Sequence, residues 1–325
     1  MTATLQGARV LVTGGSGLLG SHLCEALVDA GVAEVRVLDN LQRGRRANLE
    51  TAAVQGTVLL TEGSITDAAL VSKLVDGVDY VCHLAALRVP RCRKEPEVYF
   101  DVMVRGTYAL LQACARARVQ KVLYASSVAV YGDPVRRPMD EEHPPNSTSF
   151  YGAAKVAGEQ FCRAFRRSAE LRYTALRYFN MYGPRMSLEG DDTEVMIKWL
   201  DQLEAGEAPV IHGDGTVVID WVHVRDAARA TVLALKSSVD DDIINIASGC
   251  ATTLKELLEL LIELTGSRVQ PRFEAPPSSY TGISRVGSTE KAKRLLGFET
   301  QISLREGLQE LVAWYRQAKR EAVAG

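Results

Sequence analysis

The apolar residues of this chain fall into short solid runs separated by longer amphipathic stretches. Ala8 to Thr13 (A-R-V-L-V-T) is one such run, and Ser21 to Ala30 behind it carries apolar residues at helical spacing. Runs at Glu34–Leu38, Thr57–Thr61, Val78–Leu84, Lys121–Ala125 and Tyr173–Tyr178 repeat the strand signature. Two long stretches, about 97–118 and 151–168, repeat the helical one, the first with Val98, Val102, Leu110, Leu111 and Ala115 and the second with Phe161 and Phe165. Strand and helix alternating six times in about 180 residues predict an α/β fold, a doubly wound parallel sheet with right-handed crossovers. After Gly183-Pro184 the rhythm breaks. Helices near 194–205, 224–236, 253–264 and 303–319 follow, with Gly213-Asp214-Gly215 as a tight turn between short apolar pieces. Thr252 or Thr253 caps the third of these, with Glu256 placed for a capping box. The expected division is a sheet domain over 1–179 and a smaller α/β lobe over 180–325, with a soft boundary because the chain can cross back.

Composition narrows the class without naming it. The 325 residues are 46% hydrophobic and 24% charged, a globular profile. A net charge of −2 gives no case for a nucleic-acid or acidic-membrane partner. No apolar run approaches the ~18 residues of a membrane span, and no signal peptide is evident, so a cytoplasmic protein is expected. The six cysteines (Cys24, Cys82, Cys92, Cys114, Cys162 and Cys250) are scattered with no C-x-x-C. They read as reduced thiols, neither a disulfide framework nor a metal site.

The candidate chemistry sits where strands end. Gly14, Gly17 and Gly20, spaced G-x-x-G-x-x-G, link the first strand to an amphipathic helix. Such glycines allow a tight turn, close approach of a pyrophosphate and close helix–strand packing, with the phosphates on the helix N-terminus. This is the Rossmann pattern. Asp39 ends the second strand, 19 positions after Gly20. A carboxylate there accepts from ribose hydroxyls and repels a 2′-phosphate, which favours NAD over NADP. Arg43, Arg45 and Arg46 follow and read as a solvated loop. Asp67 either caps the next helix or bonds the adenine amine. Ala85 and Ala86 leave room at the end of the fourth strand. Ser126 and Ser127 end the fifth, as substrate hydroxyl partners or as a turn cap. Tyr151 and Lys155 lie one helical turn apart, so the ammonium can acidify the phenol and make it a base near neutral pH. That pair alone is weak, since it recurs by chance on surface helices.

Taken together, these residues resemble the extended short-chain dehydrogenase/reductase family. The likeness runs through Gly14, Gly17, Gly20 and Asp39, H-L-A-A at 83–86, S-S-V-A-V-Y-G at 126–132, Y-G-A-A-K at 151–155, R-Y-F-N-M-Y-G-P-R at 177–185, H-G-D-G at 212–215 and K-A-K-R-L-L-G-F at 291–298. Within it the chain is most similar to NAD-dependent nucleotide-sugar epimerases of the UDP-glucose 4-epimerase type.

The resemblance implies a role for each matching residue. Tyr151 matches the catalytic base, Lys155 the lysine that bonds the nicotinamide ribose, and Ser127 the serine that bonds the reacting hydroxyl. Asn180 matches an asparagine near the substrate diphosphate. NAD is expected against Gly14, Gly17, Leu18, Leu19 and Gly20, against Asp39, Asn40, Ser64 and Ile65, and against Leu84, Ala85, Ala86 and Arg88. Tyr151, Lys155 and Tyr178 complete that set. The nucleotide-sugar is expected against Arg88, Ser127, Val128, Tyr151, Asn180, Arg185 and Arg285. The implied reaction is epimerisation, at C4, through a ketosugar formed and re-reduced with bound NAD. The implied assembly is a homodimer through the helices at 97–118 and 150–168.

Two positions depart from the family pattern. Met103 stands where N-V-x-G-T has Asn. Ile219 stands before Asp220-Trp221 where an Arg that binds the diphosphate is usual, and Arg285, Arg185 or Arg88 are the candidate replacements. Val128 and Ala129, before the V-Y-G, cannot transfer protons, which argues against dehydration. Two other functions compete: a reductase or dehydrogenase of an activated sugar that exchanges its cofactor each turnover, and a non-catalytic dinucleotide sensor. Retention of NAD separates the first from an epimerase. An intact Ser127, Tyr151 and Lys155 set speaks against the second.

Overall fold

The computed structural model describes residues 4–87, 94–189, 193–276 and 282–324. Seven parallel strands form the main sheet. β1 (Arg9–Thr13), β2 (Glu34–Asp39), β3 (Val58–Glu62), β4 (Tyr80–His83), β5 (Lys121–Ser127) and β6 (Tyr173–Tyr178) are joined by a last strand, Asp242–Ile246, at the β6 edge. Across the sheet the order is Asp242–Ile246, β6, β5, β4, β1, β2, β3. The order reverses between β1 and β4, and the crevice outside the strand ends at such a point is where a doubly wound sheet takes its ligand.

The chain does cross back. Strand Asp242–Ile246 pairs with β6, and the helix before it, Val224–Lys236, packs on the helix Leu18–Asp29 of the glycine loop. Ala227, Ala228, Ala230 and Ala234 give that helix a thin buried face, so the two helices approach closely. Much of the second half forms a separate apolar cluster that includes Trp199, Leu200, Leu257, Leu261, Leu311 and Tyr315, while Ala292, Leu296 and Phe298 join the core of the main sheet.

The expected elements are present with shifted ends. Asp67 caps its helix, accepting from the backbone of Ala69 and Leu70 at 3.1 and 3.0 Å. Thr253 and Glu256 form a full capping box. The helix over 96–117 is not regular: Asp101–Gly106 is a π-helical segment. There Thr107 Oγ1 donates to the Met103 carbonyl at 2.8 Å and is met from the other side by His83 Nε2 at 2.9 Å. His83 Nδ1 in turn lies 2.7 Å from Thr13 Oγ1, so β1, β4 and this helix are tied by one buried imidazole. Burial holds His83 neutral, its pKa lowered to about 3.

Two glycines set the pose of the helix Phe150–Ala169. A Cβ at Gly158 would collide with the Tyr124 hydroxyl on β5. One at Gly152 would collide with Ser147 and the Ala129 carbonyl. The helix therefore lies flat on β5 and on the short turn Val128–Tyr131 that follows Ser127. Among the described residues no helix is long and apolar enough to cross a membrane.

Candidate active site

The loop after β1 is built around a missing side chain. Gly14 has φ +73°, and a Cβ there would press on the backbone of Ala85 at 2.9 Å. At Gly20 a Cβ would strike the carbonyl of Gly14. Both glycines are thus required by the protein's own packing. Gly17 is different: a Cβ would touch only Gly14 O, at an ordinary 3.4 Å. It is the N-cap of the helix Leu18–Asp29 and has no side chain over the helix's free N–H groups. Space above a helix N-terminus that no side chain fills suits a pyrophosphate.

Asp39 lies beside this loop. Its Oδ2 accepts from Ser16 N and its Oδ1 from Leu41 N, both at 2.9 Å. Each oxygen keeps a lone pair for a ribose hydroxyl. Arg46 pairs with Glu62 at 2.5 Å, and Glu62 is the register partner of Asp39 on β3. Two acids side by side at this end make a dianionic phosphate unwelcome. Leu84, Ala85 and Ala86 lie at the mouth of the crevice, with Ala85 N donating to Thr13 Oγ1 at 3.2 Å.

The reacting end is formed by β5 and the helix beside it. Lys155 is 3% exposed, and its Nζ donates to Ala125 O at 2.6 Å. The same ammonium lies 5.2 Å from the ring centre of Tyr124 and 5.7 Å from that of Tyr151. Burial lowers the lysine's pKa to about 8, and Glu159, one turn further along, opposes that shift. A positive charge is thereby placed beside the Tyr151 ring, as the four-residue spacing requires. Ser127 Oγ accepts from Ala129 N at 3.1 Å, so the serine does cap the following turn. Its hydroxyl hydrogen remains to be given elsewhere. Tyr151 packs among Leu87, Tyr99, Met103 and Ala154. Met103, where the family pattern has Asn, uses its sulfur to accept from Leu87 N at 3.2 Å.

The lobe supplies the far wall. Asn180, register partner of Trp221, bonds the Asp220 carbonyl through its N–H at 3.2 Å and its Nδ2 at 3.4 Å. Ile219 forms an isolated bridge with Arg285, and the Arg285 Nε donates to Gly132 O at 3.1 Å. An arginine thus stands directly beside the position that lacks one. Asp220 holds the wall together, accepting from Ser248 N and Oγ, Gly249 N and Gly287 N at 2.6–3.1 Å.

Several of the expected side chains are engaged within the protein. The ring of Tyr178 lies in the core on the opposite face of the sheet, with its hydroxyl 2.7 Å from Thr231 Oγ1, so only its backbone faces the crevice. Val128 is likewise turned into the core by the short turn, and Leu19 is packed in the core behind the glycine loop. Ile65 is buried against Gly106, Asn40 turns its amide oxygen to Gln42 N, and Ser64 bonds Thr66. Leu18 lies between the two apolar clusters. Arg185 is ion-paired with Glu25 on the glycine-loop helix. Arg88 lies outside the described residues. Residue-by-residue reading missed the buried pairing of Glu159 with Arg177 behind Ser127, and places Ser126 at the strand end without its partner Glu159. Its only signal was two opposite charges inside otherwise apolar segments.

A dinucleotide cradle, a buried lysine beside a tyrosine, and a serine at the adjacent strand end define a nicotinamide-dependent enzyme of the Rossmann class. The chain belongs to the NAD dependent epimerase/dehydratase family, whose match covers residues 10–247. A putative UDP-glucose 4-epimerase of Methanocaldococcus jannaschii is 33% identical over 96% of this chain and 99% of its own. The structure of UDP-glucose 4-epimerase with UDP-glucose from Thermotoga maritima superposes with a TM-score of 0.89, at 34% identity over 96% of this chain and 99% of that one. That of UDP-N-acetylglucosamine 4-epimerase from Methanobrevibacter ruminantium, in complex with UDP-N-acetylmuramic acid, gives 0.90 at 31% identity over 96% and 99%. The cofactor is NAD.

The contrast between Gly17 and Gly20 is testable. Gly20→Ala is expected to destabilise the fold by about 1–3 kcal/mol, because a methyl is forced against backbone. Gly17→Ala is expected to leave the unfolding curve unchanged and to weaken NAD binding at least about tenfold, near 1.4 kcal/mol. Urea unfolding and NAD titration of the two variants read this directly. Equal loss of stability in both would contradict the cradle.

Proposed function

We propose that the chain interconverts UDP-sugars at C4, retaining its NAD between turnovers. The observation that carries this reading is Lys155 buried against Tyr151 beside Ser127, with only Val128 and Ala129 at the neighbouring positions. Tyr151 takes the proton from a sugar hydroxyl and returns it. Lys155 keeps the phenolate accessible near neutral pH by holding a positive charge next to it. Ser127 holds the same sugar oxygen through its hydroxyl. Bound NAD supplies the hydride acceptor and donor. No acid or base stands at 128 or 129 to remove a second proton from the ketosugar, so the pocket supports epimerisation rather than elimination.

The diphosphate is assigned to Arg285 and Asn180. The Ile219 bridge fixes the Arg285 backbone, and the bond from Nε to Gly132 O fixes one edge of the guanidinium. A homodimer is proposed through the outer face of the helices 96–117 and 150–169. There Tyr108 stacks with Phe161 and Phe165 at 5.7 and 5.4 Å, while Phe100 and Phe150 remain 46% and 67% exposed. A cytoplasmic location fits the free thiols of Cys24, Cys82, Cys114, Cys162 and Cys250.

Purified protein given UDP-glucose and no added cofactor is expected to yield UDP-galactose by NMR. Tyr151→Phe should lower kcat by about 10²–10⁴-fold with NAD still bound. Unchanged turnover in that variant, or a need for stoichiometric NAD(P)H, would sink the reading. Arg285→Ala should raise KM for UDP-glucose about ten- to a hundredfold, the worth of one charge-assisted contact, with kcat little changed. Arg185→Ala is the control, expected to leave KM where it was.

A further inference from the structure

Behind the Tyr151–Lys155 couple lies a second pair of charges that the proposed chemistry does not use. Glu159 is 2% exposed and Arg177 4%. The guanidinium is bidentate, with Nε on Oε1 and Nη2 on Oε2, each at 2.8 Å. Ser126 Oγ also donates to Oε1, at 2.5 Å. Arg177 stacks over the Tyr131 ring with its central carbon 4.7 Å from the centroid. Tyr131 Oη donates to Asn245 Oδ1 at 2.6 Å.

The placement of this pair ties it to the reacting groups. Glu159 is on the same helix as Tyr151 and Lys155, at spacings of eight and four residues, so all three share one face. Ser126 precedes Ser127, and it is the register partner of Arg177 on β6. Tyr131 ends the turn that Ser127 caps. A buried ion pair contributes little net stability, because desolvation offsets attraction. Well-packed apolar residues would hold these elements together as well.

We propose that Glu159 and Arg177 are positioning residues that set the charge balance of the Tyr151–Lys155 couple. Glu159 supplies the anion that keeps Lys155 an ammonium in a dry site. Arg177 caps that anion and limits its pull, so that the phenol is not also burdened by an uncompensated negative charge. Of the other groups facing the set, Tyr124, Tyr131 and Cys162 are raised by burial and His83 is lowered, while Glu141 adds a second carboxylate that Arg177 favours in its charged form, accepting from Asn245 N at 2.7 Å with its backbone carbonyl 3.5 Å from the guanidinium.

The inference rests on Tyr151 and Lys155 being the reacting couple, and it is tested first without substrate. The Lys155 ammonium is followed against pH by 15N NMR in the NAD-bound enzyme, with its signal assigned by its absence in Lys155→Met, for Glu159→Gln and for Arg177→Met. Removing the anion lowers the titration of the couple; removing the cation raises it. The Glu159→Gln curve should therefore lie below the Arg177→Met curve by about one pH unit or more. A purely structural pair would lower the melting temperature in both variants and leave the two curves together, which would overturn the proposal. The pH profile of kcat with UDP-glucose should separate in the same sense. If the titrations separate and UDP-glucose is not turned over, the epimerase reading fails and this one stands.

Discussion

An ammonium group buried beside a phenol governs the design of this protein. Lys155 loses almost all of its hydration, and burial lowers its pKa toward neutrality. It is useful only while charged. The surroundings therefore answer the desolvation in three ways: a carbonyl at Ala125, two aromatic faces at Tyr124 and Tyr151, and a carboxylate at Glu159. Each answer recruits further residues. The carboxylate needs Arg177 and Ser126, Arg177 needs the face of Tyr131, and Tyr131 needs Asn245 on the returning strand. Gly152 and Gly158 are small so that the helix bearing the couple can lie against all of these.

The division of labour follows from the sheet. The glycine loop and Asp39 sit on the β1–β2 side of the switch point and are shaped for a dinucleotide with free ribose hydroxyls. Ser127, Tyr151 and Lys155 sit on the β5 side. Among the described residues, neither side offers an arginine or lysine left over for a substrate diphosphate beyond those already named. That wall comes from the lobe, where Asp220 binds four backbone or hydroxyl donors and so orders the segments carrying Asn180, Ile219 and Arg285. The glycine loop, the Tyr151–Lys155 couple and the segments carrying Asn180 and Arg285 thus come from different lengths of chain.

What could be read from the residues in order was whatever depends on local spacing. Glycines three apart after a strand, and a tyrosine four before a lysine, make the same geometry in any context. Tyr178 shows the limit. Both faces of β6 are buried, so alternation alone does not say that Tyr178 points to the helix Val224–Lys236 while Arg177 points to the helix Phe150–Ala169. Arg185 and Arg285 were equal candidates on charge. Only the fold separates them, sending one to Glu25 and the other beside Ile219, 66 residues away in the chain. Glu159 and Arg177 escaped notice for a similar reason, because their partnership spans a helix and a strand.

Were bound NAD to accept and return hydride at the carbon whose hydroxyl Tyr151 is proposed to deprotonate, a label on that carbon would survive the reaction. The most direct measurement is to turn over UDP-glucose carrying deuterium at C4, in ordinary water, and to examine the C4 epimer by NMR. The deuterium is expected to stay on C4 through many turnovers, with no solvent hydrogen acquired at C3 or C5. Loss of the label to solvent, or exchange at C5, would mean that a carbon-bound proton is being abstracted and would contradict hydride return by bound NAD.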